Sequence, residues 1–249
     1  MNGRRVVYGL HAVTAALKRR PGAVFEVFLD ARRTDPRVRR VADLAKAAGV
    51  PLHEADAGRL DGFAKGGRHQ GIAAFVEDVA LAASLNEVLD DLAEPAFLLV
   101  LDGVQDPHNL GACLRVADAM GVHAIVAPRD RATGLNATAH KVASGAAETV
   151  PFIPVTNLAR TLRELKDKGI FVVGAAEGEG GTLFEAKLSG PLAMVLGAEG
   201  EGLRRLTRET CDELISIPML GQVESLNVAV AAGICLYEAR RQRHRSTGR

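Results

Sequence analysis

At 249 residues, with 47% hydrophobic and 24% charged side chains, the chain has the composition of a folded protein with room for one large or two small domains. Disorder, collagen and coiled coil are excluded as whole-chain readings. The 31 Lys and Arg against 30 Asp and Glu leave a net charge of +1, which by itself points to no polyanionic partner.

The opening residues lack the apolar run of a secretion signal, and no window reaches the ~18 apolar residues of a membrane span, so a cytoplasmic protein without a membrane partner is expected. In the front part the pattern predicts a helix at 11–19, a strand at 24–29, a helix at 36–48 ended by Gly49-Val50-Pro51, and a strand at 71–76. That alternation favours a small α/β sandwich. Lys65-Gly66-Gly67-Arg68-His69-Gln70 is glycine-rich and basic, a plain turn or a loop able to approach a phosphate. A linker is expected over 77–84, closed by a capping box, Ser84-x-x-Glu87, that starts the next helix.

Beyond the linker, short apolar runs at 97–101, 123–127, 170–175, 192–196 and 214–217 are separated by helical patterns at 108–120, 136–147, 157–168, 202–210 and 226–241. This order predicts a mostly parallel sheet covered on both faces, with the chemistry in loops just after the strands. The three cysteines, Cys113, Cys211 and Cys235, form no Cys-x-x-Cys pair and read as small buried hydrophobes, with no metal implied.

Charge is divided unevenly. Residues 1–76 hold 14 Lys and Arg against 7 Asp and Glu, a balance of +7, whereas residues 77–239 stand at −11 and residues 240–249 carry five arginines and no acid. A basic front domain and a basic tail around an acidic body suit phosphate binding at the ends, or simply a solvated surface.

Three segments follow predicted strands. The first is Asp102 to Gly111, feeding a helix whose Leu110, Cys113, Leu114 and Ala117 make one apolar stripe, with Asn109 in its first turn and Arg115 off the stripe. The second is Gly197-Ala198-Glu199-Gly200-Glu201-Gly202. The third runs from Pro218 through Ser225-Leu226-Asn227-Val228 into the last helix. The middle loop has the order G-x-x-G-x-G, not G-x-G-x-x-G, and Ile217 rather than an acid stands about 20 residues on, which argues against a dinucleotide site. No phosphate-loop, G-x-S-x-G or H-E-x-x-H pattern occurs.

In order and spacing these segments resemble the three motifs of the SpoU/TrmH branch of SPOUT RNA 2′-O-methyltransferases: Asn109-Leu110-Gly111 through Arg115, then Gly197 to Gly202, then Ile217-Pro218-Met219 through Asn227-Val228. Through Tyr8-Gly9-Leu10-His11-Ala12-Val13 and His69-Gln70-Gly71-Ile72 the front resembles the subgroup that methylates a guanosine of large-subunit (23S) ribosomal RNA. The likeness covers nearly the whole chain, failing only in the Arg-rich tail.

The resemblance implies an α/β fold in two parts. One is a small L30e-like RNA substrate-binding domain over 1–76. The other is a SPOUT α/β/α methyltransferase domain over 85–240, with a mostly parallel sheet and a C-terminal trefoil knot, followed by a basic tail over 241–249. It further implies S-adenosylmethionine as cofactor, a homodimer formed through the catalytic domain, and 23S ribosomal RNA as partner. The cofactor is expected on loops 197–202 and 217–226, held largely by backbone groups, at Gly197, Ile217 and Leu226, with Met219, Leu220, Ser144 and Gly202 as further contacts. Ile217, Met219 and Leu226 serve equally well as core residues.

For catalysis the resemblance implies Arg115 as general base; a fixed cation that orients RNA and stabilises a developing alkoxide is the physical alternative. Asn109 and Asn227 are neutral amides able to orient ribose or Arg115. Glu199 is placed to bond Arg115 or the asparagines, and Ser225 joins this set or merely caps the last helix. Two other readings stand beside this one: the same reaction on transfer RNA, and a non-catalytic ribosomal RNA-binding protein.

Overall fold

The computed structural model describes residues 4–33, 35–64, 66–77, 84–178 and 180–246, and the chain divides into two units, one ending at Ala80 and the other beginning at Leu81. Residues 78–83 of the expected linker, and Lys65 of the basic loop, lie outside the described residues.

The first unit runs β1 (Arg4–Tyr8), α1 (Leu10–Arg19), β2 (Val24–Asp30), α2 (Pro36–Ala47), β3 (Leu52–Ala55), α3 (Ala57–Ala64) and β4 (Ile72–Glu77). Its sheet has the order β1-β4-β2-β3, antiparallel except for β2 and β3, which are joined in parallel through α2. Successive strand residues point to opposite faces. Val27, Ala74 and Val76 therefore pack with Val13, Leu17, Val41 and Ala45 of α1 and α2, while Phe28 and Ala73 pack with Leu60 of α3 on the other face. α2 starts at Asp35, whose carboxylate accepts from the backbone N–H of Arg37 and Val38, with Pro36 in the first helical position. The sequence pattern missed β1, β3 and α3. Two arginines interrupt the apolar pattern of β1, and β3 has four residues of which His53 and Glu54 are exposed.

The second unit contains α4 (Leu85–Asp90), β5 (Phe97–Asp102), α5 (Pro107–Met120), β6 (Ala124–Pro128), α6 (Ala137–Ala143), β7 (Phe152–Val155), α7 (Leu158–Asp167), β8 (Phe171–Ala175), β9 (Gly181–Thr182), β10 (Leu192–Gly197), α8 (Arg205–Thr210), β11 (Glu213–Ser216) and α9 (Val228–Ser246). The strands form a seven-stranded sheet of order β7-β6-β5-β10-β8-β11-β9, and every pairing recorded among the described residues is parallel. β5 is buried along its whole length: Phe97, Leu99 and Leu101 face α5, α6 and α9, and Leu98 and Val100 face α7 and Leu203. Both faces are covered, as the continuous apolar runs predict.

Two helices are shorter than expected. α6 stops at Ala143 because Ser144 and Gly145 are left-handed, and a single 3-10 turn follows. α8 begins only at Arg205, beyond a loop in which Gly200 and Gly202 take φ of 78° and 65°, a region disfavoured for side chains larger than glycine's hydrogen. The C-terminal expectation needs correction. α9 continues through Ser246, so residues 241–246 are helix and not tail, while 247–249 lie outside the described residues. Arg243 is buried, donates to the carbonyls of Pro95, Ala96 and Gly190, and lies 4.8 Å over the Phe97 ring; burial and neighbouring Arg240 lower its pKa. Arg240 donates to the carbonyls of Met120 and Gly121 at 2.7 and 2.9 Å. These arginines bind backbone carbonyls at the amino end of β5 and the end of α5.

Candidate active site

The carboxyl ends of β10, β8 and β11 open into a cavity of about 520 Å³ walled by the loop 197–203 and the segment 217–226. Within the 197–203 loop the backbone folds back on itself: Ala198 and Gly202 form an isolated bridge, and the Gly202 N–H donates to the Ala198 carbonyl at 2.9 Å. Gly197 sits against that return. A Cβ there would overlap the Gly202 carbonyl group and come within 2.5 Å of the Leu203 nitrogen, so only glycine fits without moving the loop.

Below this loop a charge pair ties it to the sheet. Asp102 ends β5 with its side chain fully buried; one oxygen accepts the Arg204 backbone N–H at 2.9 Å, and the other pairs with the Arg204 guanidinium, Nε at 2.5 Å. Neither residue stands among the expected site residues. An acid directly after a wholly apolar strand was a signal for Asp102, whereas nothing local marked Arg204.

Above the loop three predicted residues meet. Glu199 Oε1 accepts from Asn109 Nδ2 at 3.1 Å, from Asn227 Nδ2 at 2.6 Å and from the Val228 N–H at 3.4 Å, and Asn227 Nδ2 also donates to Asn109 Oδ1 at 2.8 Å. Local chemistry explains the convergence. Asp106 and Pro107 start α5, with the Asp106 carboxylate accepting from His108 N–H, which puts Asn109 in the first turn. Asn227 caps α9, its Oδ1 accepting the Ala229 N–H at 2.9 Å, so the cap is Asn227 and not Ser225. Glu199 thus lies at the amino end of α9, where the helix dipole favours a negative charge. Beneath it Cys113 is buried, which together with the Glu199 charge pushes its thiol up to about 12.

Gly197, Gly202, Ile217, Met219, Ser225 and Leu226 all line the cavity, and Ile217 also packs on the core. Three expected residues lie elsewhere. Leu220 is 99% exposed and Ser144 ends α6, its hydroxyl donating to the Val142 carbonyl; neither lines the cavity. Arg115 is exposed and makes no ion pair or hydrogen bond among the described residues. Six residues beyond Asn109, it lies about 240° around α5 and about 9 Å along it. Glu177, Glu201 and Glu224, in loops that carry no periodic signal, and Arg208 of α8 also stand in the wall without having been expected there.

Residues 96–237 match the SpoU rRNA methylase family, and residues 6–81 match the substrate-binding domain of RNA 2′-O ribose methyltransferases. The chain belongs to the SpoU rRNA methylase family. It is 57% identical over 243 residues to the 23S rRNA (guanosine-2′-O-)-methyltransferase RlmB of Ralstonia nicotianae, covering 98% of each chain. It is 55% identical over 240 residues to that of Pectobacterium atrosepticum, covering 96% and 98%. Among solved structures it is similar to the SpoU methyltransferase AviRb of Streptomyces viridochromogenes in complex with AdoMet, with a TM-score of 0.70 at 25% identity over 98% of this chain and 92% of that one. An AdoMet-bound rRNA methyltransferase from Sinorhizobium meliloti gives 0.66 at 26% identity, covering 96% and 87%. No helix among the described residues is long and apolar enough to cross a membrane.

Proposed function

We propose that this protein methylates the ribose 2′-hydroxyl of a guanosine in 23S ribosomal RNA, with S-adenosylmethionine as methyl donor. The observation that carries the reading is the convergence of Asn109, Glu199 and Asn227 at the rim of a cavity walled by the two loops, in a chain matched end to end by 23S rRNA guanosine methyltransferases. The two loops on which the family resemblance places the cofactor share that cavity.

The cavity fits the cofactor. Its volume lies within the usual range for small-molecule sites. The close approach of backbone at Gly197 leaves main-chain groups to bond an adenosine, and a wall that among the described residues holds Glu177, Glu199, Glu201 and Glu224 against one arginine, Arg208, suits a cation. S-adenosylmethionine supplies there a methyl group activated on a positively charged sulfur. On this reading Gly197, Gly202, Ile217, Met219 and Leu226 hold the cofactor. Glu199 fixes both asparagine amides, so that their remaining polar atoms orient the ribose. Positioning two reactants is the larger part of such a catalyst's work.

Arg115 stands outside this cavity in its own subunit. A homodimer supplies the missing group: Arg115 of one subunit completes the cavity of the other, orienting a phosphate or stabilising the developing alkoxide with its planar fork. An exposed apolar stripe on α9, Val230, Ile234 and Tyr237 at helical spacing and 50, 38 and 62% accessible, supports burial against a second copy.

The test is to incubate the purified protein with methyl-labelled S-adenosylmethionine and either 23S ribosomal RNA or transfer RNA. Label in 2′-O-methylguanosine of 23S RNA, lost with Arg115→Ala, is expected. Label in transfer RNA alone, or none in either, would overturn the reading.

A further inference from the structure

We propose that a groove between α1 and α2 in the first unit is the seat of the RNA phosphate backbone, with Lys18, Arg37, Arg40 and Arg68 as its phosphate ligands. The inference rests on the proposed action on ribosomal RNA and adds where, in a unit that the family match leaves undivided, the substrate is gripped.

Two hollows of about 480 and 570 Å³ adjoin, sharing Leu10, Arg37 and Gln70, and so form one continuous groove. Helical spacing builds its walls. Leu10, Thr14 and Lys18 recur at i, i+4 and i+8 along α1, and Arg37, Arg40 and Val41 lie one turn apart on α2. Leu10, Ala15 and Val41 give the groove an apolar floor between cationic walls, which suits the ribose and base edges that accompany a phosphate chain.

One end of the groove is stitched in place by the two segments that carry the front-domain resemblance. The Gly9 N–H donates to the Ile72 carbonyl at 3.0 Å, and the Leu10 N–H donates to Gln70 Oε1 at 3.1 Å. Gln70 holds φ 54°, a left-handed conformation uncommon outside glycine and asparagine, fixed here by that bond. Arg33 braces the same corner, pairing with Asp35 at 3.3 Å and donating to the Gln70 carbonyl at 2.5 Å.

The other four cations have no such work. Lys18, Arg37, Arg40 and Arg68 are exposed, and none has an ion pair or side-chain hydrogen bond among the described residues. Like charges one turn apart on a helix repel, so Arg37 and Arg40 cost stability that a bound polyanion would return. Among the described lining residues the single acid, Asp35, is already engaged by Arg33 and by the start of α2. Four unneutralised cations along an apolar-floored groove match a phosphate chain in charge, and guanidinium forks suit its oxygens.

The test uses the full-length chain carrying Lys18→Gln, Arg37→Gln, Arg40→Gln and Arg68→Gln together, with transcribed fragments of 23S ribosomal RNA as probe. The control variant carries Arg20→Gln, Arg39→Gln and Lys46→Gln, three exposed cations of the same unit outside the groove. Each phosphate contact contributes roughly 0.7 to the slope of log affinity on log salt for single strands. Four lost contacts therefore shrink the ratio of Kd at 200 mM to Kd at 50 mM salt by roughly 50-fold in the groove variant. A much smaller change per charge is expected in the control. The groove variant should melt no lower than wild type, which separates lost binding from lost fold. Equal loss per charge in both variants, an unchanged salt response in the groove variant, or competition by poly-L-glutamate as strong as that by RNA would each overturn the proposal. Wild-type protein that methylates 23S RNA while the groove variant also binds normally would refute the groove alone; wild-type protein that methylates nothing would refute the function instead.

Discussion

Replacing Arg204 with Met strips the partner from a carboxylate that cannot reach water. The Asp102 side chain is fully buried, and both of its oxygens are bound by Arg204, whereas the Arg204 side chain is 38% exposed. Removing one member of a buried pair costs about 3–5 kcal/mol when the survivor stays buried and charged. For a unit of this size that is roughly 6–20 °C in melting temperature. Asp102→Asn leaves instead a guanidinium that can turn to solvent, at a cost of about 1–3 kcal/mol. Adding Asp102→Asn to Arg204→Met should therefore restore stability, because the second substitution removes the stranded charge. Urea unfolding of the four proteins, read from midpoints at constant slope, measures this directly. A double variant less stable than Arg204→Met alone, or an Arg204→Met cost below about 1 kcal/mol, would refute the view that the pair is buried and ties the 197–203 loop to β5.

Three further outcomes are expected. Gly197→Ala should weaken S-adenosylmethionine binding roughly tenfold or more by calorimetry, since its Cβ would collide with the Gly202 carbonyl, while Gly190→Ala, with open space around its Cβ, stays silent; equal affinities would contradict the close approach. Arg115→Lys should lose most turnover with folding intact, and inactive Arg115→Ala and Asn227→Ala proteins, mixed and allowed to exchange subunits, should regain activity. Proven exchange without recovery would argue against a shared site. Burial pushes the thiols of Cys113 and Cys235 up to about 12, so iodoacetamide at pH 8 should leave both unlabelled until the protein unfolds. Because the folded state keeps those protons after the unfolded thiols, near 8.5, have lost theirs, stability should fall as pH rises from about 9 toward 12.

Much of the second unit could be read from continuous apolar runs because its central strands, β5, β6 and β10, are buried on both faces. Phe97 to Leu101 is apolar without interruption, and the stripe Leu110, Cys113, Leu114 and Ala117 is buried as expected. What escaped had weak local patterns: β7 buries only Ile153, β9 is two residues long, and β1 opens on Arg4 and Arg5. At the site, glycine order and the Ser-Leu-Asn segment marked the loops, yet no local signal foretold that Asn227 would cap α9 while binding Glu199, 28 positions away. The terminal arginines read as a phosphate-binding or solvated end, and no local pattern shows that the last helix runs on through Ser246. Arg243 instead spends its charge on three backbone carbonyls and an aromatic ring, partners distant in sequence.

The central claim is most directly tested by mapping ribose methylation across ribosomal and transfer RNA from cells with and without this gene, and from cells carrying only the Arg115→Ala form. One 2′-O-methylguanosine in 23S RNA should vanish without the gene and stay absent with the variant. An unchanged 23S profile, or a mark lost from transfer RNA alone, would contradict it.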